Sequence, residues 1–417
     1  MKILAEFGIF IRIIILNIGG KKANTQFYFI SLFGKLPLIL IVRFKEVIGQ
    51  QKLKSDLIRA VLADKISHAQ LFGGQAGFGT LPLALAYIQF LFCEQKQTDD
   101  SCGECASCQK VEKLQHPDLH FAFPIVPNEN SNKPSISDDF ISDWREQIRE
   151  NPYINLVDWT KKIDVKERKA VIKVDESKEI LRKLSLKSFE GSYKIMLIWN
   201  PEEMNPACSN KLLKILEEPP AQTLFLLVSD KPDNLLLTIQ SRTQKIRIPK
   251  IELALLSLYL QEKNQLTSVQ ADSIASFAEG NLLLAKEFME ASVNQSIYVD
   301  LFMVLMRVCY KKDVIAMMDW AEKISVEGKE TQKLFLIYAL HMFRQSNISN
   351  YIGESMMRVS REEEEFLVKF APFISGNNIR EFISTFDDAY YHLERNANSK
   401  ILFTQLCFQV MRFIHQA

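Results

Sequence analysis

Residues 68 to 81 read His-Ala-Gln-Leu-Phe-Gly-Gly-Gln-Ala-Gly-Phe-Gly-Thr-Leu. His68 to Phe72 is a short apolar run with strand character, and Leu83 to Phe92 carries a helical apolar pattern. Between them lies Gly74-Gln75-Ala76-Gly77-Phe78-Gly79-Thr80-Leu81. Strand, glycine-rich loop and helix in that order form the setting of a phosphate-cradling P-loop, where backbone N–H groups and a helix N-terminus surround the phosphates. A working loop needs Lys against the β/γ-phosphates and Ser or Thr on magnesium. Those positions hold Thr80 and Leu81. Gly74, Gly77, Gly79 and Thr80 therefore read as a degenerate loop with weak or no nucleotide binding. Taken alone, the motif also fits an ordinary glycine-rich turn of no such ancestry.

Further along, Lys194 to Trp199 (KIMLIW) reads as a buried strand. P-loop ATPases place acidic residues at the tip of such a strand to hold magnesium and position water. This one ends in Trp199-Asn200, and Glu202 and Glu203 read as exposed loop charges beyond the tip. Two halves of the hydrolytic apparatus are missing together.

The surrounding texture is strand–helix alternation. Leu53, Leu57, Ile58, Val61 and Leu62 share one helix face within 47–65. Asn205 is placed as an N-cap with Pro206 in the first turn. Leu212, Leu213, Ile215 and Leu216 give that helix its buried face, and Pro219-Pro220 stop it. Thr223 to Val228 and Lys245 to Ile248 are further strands, with a helix expected over Asp233 to Gln240. The pattern predicts an α/β fold with a parallel sheet covered on both faces over residues 43–249. Residues 124–169 are polar and carry Trp144 and Trp159, so they read as a long insertion with some helix of its own. Regular structure resumes at Ala170 to Val174. Past Pro249 strand signals vanish, leaving a small helical unit over 250–295 and a larger one over 296–417, with amphipathic runs such as Lys333 to Phe343 and Ile401 to Ile414.

Four of the seven cysteines crowd into sixteen residues as Cys93-x8-Cys102-x2-Cys105-x2-Cys108. Four thiolates at this spacing can close a tetrahedral zinc site with no open position, which makes the metal structural. His116 is an alternative to one thiol, and four unliganded thiols are the bland alternative to the site. Lys plus Arg number 51 against 50 for Asp plus Glu, so the net charge offers no grip for a chain binding DNA by itself. The apolar stretches 7–18 and 27–42 fall short of the ~20 residues of a membrane helix and are broken by Arg12 and Lys35. Residues 1–42 read as a non-native or disordered extension, with Val42 a candidate start.

Taken together, FKEVIGQ (44–50), HAQLFGG (68–74), the inserted four-cysteine module, HPD (116–118), LLKILEEPP (212–220) and the Ser241-Arg242 pair resemble the delta-prime subunits of bacterial DNA polymerase III clamp loaders. Their order and spacing match over about Phe44 to Pro249; beyond 250 only EGNLLLA (279–285) and RNANSK (395–400) look similar. The resemblance implies an AAA+ P-loop domain with a zinc module at 93–108, a helical lid over 250–295 and an all-α collar over 296–417. It further implies a cytoplasmic, silent member of a hetero-oligomeric ring that opens the sliding clamp and loads it on primed DNA. Its partners would be the ATPase motor subunits and a delta-type subunit within the polymerase III holoenzyme, with no membrane. In such rings the Arg of a Ser-Arg-Cys motif reaches the ATP of the neighbouring subunit. Arg242 and Ser241 match that motif, and Thr243 replaces its Cys. The lid arginine of the family is absent near Leu283. ATP would thus sit on a neighbour, with this chain's own site empty. Without the resemblance, Arg242 reads as a surface charge. Two other readings compete: an active ATPase of the motor class, opposed by Thr80, Leu81, Trp199 and Asn200, and a zinc-dependent nucleic-acid module, opposed by the neutral charge.

Overall fold

The computed structural model describes residues 43–416 apart from 128–133, 165–167, 192, 292–294, 354–356, 358 and 360. The expected extension over 1–42 lies outside the described residues. In chain order the first part contains α1 (Gln51–Leu62), β1 (Ala69–Gly73), α2 (Thr80–Phe92), α3 (Ala106–Glu112), β2 (Leu119–Ala122), α4 (Ile141–Glu150), α5 (Leu156–Ile163), α6 (Val174–Ser185), β3 (Lys194–Trp199), α7 (Pro206–Glu217), β4 (Thr223–Ser229), α8 (Leu237–Gln240) and β5 (Gln244–Arg247). All four strand pairings are parallel, and the order across the sheet is β2-β3-β4-β1-β5.

Parallel neighbours require crossovers, and the helices supply them while covering both faces. Side chains alternate accordingly. Ile195, Leu197 and Trp199 of β3 and Leu224, Leu226 and Val228 of β4 enter one cluster with α2. Met196, Ile198, Phe225 and Leu227 enter the other with Ile180, Leu212 and Leu216. A one-residue slip would exchange the two faces, so burial on both sides fixes the register. Asn205 caps α7 as expected, its Oδ1 accepting the Cys208 N–H at 2.8 Å, with Pro206 in the first turn.

Some expectations need adjustment. The segment expected as one helix over 233–240 is a 3₁₀ turn at Pro232–Asn234 and the one-turn α8, because Leu235 and Leu236 are extended between them. The insertion expected over 124–169 does carry helices, α4 and α5, and its Trp144 and Trp159 are fully buried in the same cluster as Trp199. Near 170–174 only isolated bridges form, Ile125 with Val171 and Ile172 with Met204, before α6 begins.

The remaining helices are α9 (Leu253–Asn264), α10 (Ser268–Phe277), α11 (Leu282–Ala291), α12 (Gln295–Lys311), α13 (Val314–Ser325), α14 (Lys329–Tyr351), α15 (Arg361–Phe370), α16 (Ile379–Glu394) and α17 (Ser399–Ile414). One continuous apolar cluster runs from Ile251 to Ile414, and Ile48 and Tyr153 join it from the first part. Among the described residues, no helix is long and apolar enough to cross a membrane.

Candidate functional site

The loop after β1 takes the shape its glycines allow. Gly77 and Gly79 have φ of +92° and +93°, a region that L side chains avoid, and Gly79 leads directly into α2. Thr80, standing where the phosphate-binding Lys belongs, donates its hydroxyl to the Gly74 carbonyl at 3.3 Å and is buried. Leu81, standing where the metal-holding hydroxyl belongs, packs into the core.

Two further side chains close the loop. Asn281, just before α11, donates from Nδ2 to the Ala76 carbonyl at 2.9 Å, and the Leu282 N–H reaches the Gly77 carbonyl at 3.1 Å. A Cβ on Gly77 would lie 1.9 Å from Asn281 Oδ1, so the segment at 281–283 sits directly on the loop. Tyr153, between α4 and α5, lies 3.3 Å from a Cβ built on Gly79, and its hydroxyl accepts the Ile48 N–H at 3.1 Å. Gly77, Gly79 and Thr80 are all buried beneath these contacts.

The strand tips beside the loop are equally altered. Trp199 turns into the core and lies 5.1 Å from the Trp144 ring, which itself stacks on Phe123 at 4.5 Å and meets Trp159 edge-on at 5.3 Å. Glu202, expected as an exposed loop charge, is half-buried: its Oε1 accepts the N–H groups of Asp230 at 3.1 Å and Lys231 at 2.9 Å. Glu203 is half-buried too and pairs with Lys169 at 3.3 Å. Burial raises the Glu202 carboxyl, and burial with the neighbouring Glu202 charge pushes Asp230 up to about 8. A groove of about 1470 Å³ opens on Gly74, Gln75, Asn200, Glu202 and Asp230 and extends to Glu287 and Glu330. Burial, with Asp158 and Glu330 nearby, lifts Glu287 to about 7.

The cysteine module folds back on itself around the start of α3. The four Sγ atoms lie within 4.8 Å of one another, with Cys93–Cys102 at 3.6 Å and Cys102–Cys108 at 3.8 Å. Tetrahedral zinc with Zn–S of ~2.3 Å sets sulfurs ~3.8 Å apart, so the cluster has the size such an ion requires. Backbone N–H groups of Glu104 and Cys105 point at Cys102 Sγ at 3.5 and 3.4 Å. Burial works against the Cys102 thiolate, yet these donors bring its pKa down to about 7. Cys93, Cys102, Cys105 and Cys108 could thus hold a metal ion such as zinc. His116, the alternative ligand, instead stacks on Phe92 at 3.9 Å and accepts the Asp118 N–H on Nδ1 at 3.2 Å. Asp118 has its own task, accepting the N–H groups of Phe189, Glu190 and Gly191 at 2.7, 2.8 and 2.7 Å.

Arg242 lies between α8 and β5. Since Gln244 pairs with Gln70 and Arg247 with Gly73, Arg242 precedes the sheet at its N-terminal end, whereas the glycine loop leaves from the C-terminal end. At ~3.3 Å per strand residue, the two are roughly 20 Å apart along the strand direction. Ser241 donates its hydroxyl to the Thr238 carbonyl at 3.1 Å, capping α8.

A family model described as "DNA polymerase III, delta subunit" matches residues 49–252, the whole span of the sheet, the glycine loop and Arg242. This segment belongs to the clamp-loader subunit family. Similar curated proteins include the polymerase III delta' subunit of Escherichia coli, 27% identical over 186 residues, or 45% of this chain and 43% of that one. The delta' subunit of Pseudomonas aeruginosa is 30% identical over 176 residues, 42% of this chain and 41% of its own. The tau subunit of Bacillus subtilis is 26% identical over 259 residues, 61% of this chain and 38% of its own. The matched part spans less than half the length of each of these relatives.

Within the clamp-loader segment, sequence reasoning missed Tyr153, Asp230 and Glu217, and beyond it Asn281. Asp230 left a signal, an acid directly after a buried strand. Tyr153 and Asn281 left none, because their partners stand 105 and 205 residues away.

Proposed function

We propose that this chain is a delta-prime-type clamp-loader subunit that hydrolyses no ATP itself and lends Arg242 to the ATP site of a neighbouring subunit. The observation that carries this reading is the placement of Arg242 at the end of the sheet opposite its own closed, Lys-free loop. An arginine there cannot serve its own loop, and its 31% exposed side chain leaves it accessible to a nucleotide presented by an adjoining ring member. Such a trans arginine contributes ~10³ to 10⁵ in turnover by stabilising charge on the transferring phosphoryl group.

In this reading residues 250–295 form the lid, 296–417 the collar that joins the ring, and the four cysteines hold a structural zinc. The partners are ATPase motor subunits, a delta-type subunit and, through the complex, the sliding clamp and primed DNA in the cytoplasm. The test is DNA- and clamp-stimulated ATP turnover of the reconstituted complex with wild-type chain or Arg242→Ala. No turnover from the chain alone and a marked loss with Arg242→Ala in an intact assembly are expected. Unchanged turnover would leave the chain a scaffold only, and turnover by the isolated chain would overturn the reading.

A further inference from the structure

We propose that Glu217 is a positioning residue that sets the guanidinium of Arg242 for an incoming phosphate; the inference rests on the trans-arginine reading above. Glu217 is the last residue of α7. Its Oε1 accepts Arg242 Nε–H at 2.5 Å and is also paired with Nη2, while Nη1 donates to the Thr238 carbonyl at 2.8 Å. A guanidinium carries five N–H groups in a rigid fork. Nε–H and one Nη1–H donate to these anchors and Nη2 is ion-paired with the same carboxylate, which leaves N–H groups on both Nη atoms to meet two oxygens of a phosphate. The side chain remains 31% exposed, so that edge is open to a neighbour.

The anchors come from two elements fixed to the sheet. His68 Nε2 meets the Leu216 carbonyl at 2.9 Å, tying the end of α7 to the start of β1. Thr238 belongs to α8, which leads through Arg242 into β5. A carboxylate at a helix C-terminus works against the helix dipole, so helix stability does not explain Glu217. An exposed pair of this kind contributes little to folding, so substitutions should leave the fold intact.

The test uses the reconstituted complex, with co-elution as the check on assembly. Chains carry Glu217→Ala, Glu217→Gln, Arg242→Ala or the Glu217→Ala/Arg242→Ala pair. Misorientation of a group that acts in the transition state lowers kcat, so Glu217→Ala is expected to cost roughly tenfold or more with KM for ATP unchanged. Glu217→Gln, which keeps an acceptor oxygen, should recover part of it. The double variant should fall no lower than Arg242→Ala. Full turnover with Glu217→Ala, while Arg242→Ala is impaired, overturns the inference and leaves the trans-arginine reading standing. Increased turnover with Glu217→Ala would make the pair a restraint and overturn it too. Additive losses in the double variant would mark a structural role and reject it. Full turnover with Arg242→Ala would remove the reading on which it rests, and the inference with it.

Discussion

The hydroxyl of Tyr153 accepts the backbone N–H of Ile48 at 3.1 Å, and the same ring lies against Gly79 at the head of α2. Together with Asn281 on Gly77, this contact fills the space around the loop with the chain's own side chains. If the loop excludes nucleotide, as proposed above, loss of the phosphate-binding Lys is then only part of the reason. Restoring the motif with Thr80→Lys and Leu81→Thr should leave magnesium-nucleotide binding weaker than ~1 mM. Adding Tyr153→Ala and Asn281→Ala to that pair should produce measurable binding of a fluorescent nucleotide. Tight binding by the Lys/Thr pair alone would show that the two side chains do not guard the loop.

Trp199 stands where an ATPase carries its metal-binding acid, and it is instead a wall of the Trp144–Trp159 cluster. The lost carboxylate and the gained insertion are one packing solution. Trp144→Ala should therefore destabilise the protein by about 3–5 kcal/mol, as removal of a buried Trp ring does. Trp199→Asp should cost at least as much, because it buries an unpaired carboxylate, and should yield no ATP turnover. Denaturant unfolding with both variants near wild-type stability would contradict the packing account.

The cysteine module makes a separate claim on stability. Its apolar support is small: Cys108 and Val111 are the buried residues of α3. A metal at the four thiols would hold this loop against the end of α2. Metal analysis should return about one zinc per chain, and chelation should lower Tm by more than ~5 °C. Cys108→Ser should abolish both the metal and the chelator response. A chain that keeps its Tm in chelator would not depend on an ion there.

Much of this was legible before the fold was seen, and the rest was hidden for physical reasons. β3 (KIMLIW) is a continuous apolar run and the Asn205-Pro206 start of α7 is a strong local signal, so both stand where expected. β2 escaped notice because its four residues, LHFA, include His120 and pair on one side only. α6 reads VDESKEILRKLS, where the buried face includes Glu176 and Lys183 and so looks solvated. The thiol spacing announced a cluster that the fold assembles. The closing of the glycine loop could not be read, because it depends on contacts between segments more than a hundred residues apart.

Asp230 gives the groove a pH signature with a definite sign. Burial and the Glu202 charge raise its pKa from 3.8 to about 8, so the folded chain keeps a proton that the unfolded chain releases. At Asp230 the native state binds more protons between about pH 4 and 8, so its contribution to stability falls as pH rises through that window, whereas His120, lowered by burial to about 4, acts the opposite way below about pH 6.5. Glu202, Glu176 and Glu287, also raised by burial, tilt the curve the same way. Asp230→Asn removes the largest single contribution and retains a side-chain partner for Asn200. Allowing for the partial solvent access of Asp230, the variant should gain on the order of 1–2 kcal/mol over wild type at pH 8 and nothing near pH 4. Denaturant midpoints at the two pH values would check this. Parallel curves for the two proteins would mean that Asp230 is ionised in the folded state and that the groove carries more negative charge than its burial implies.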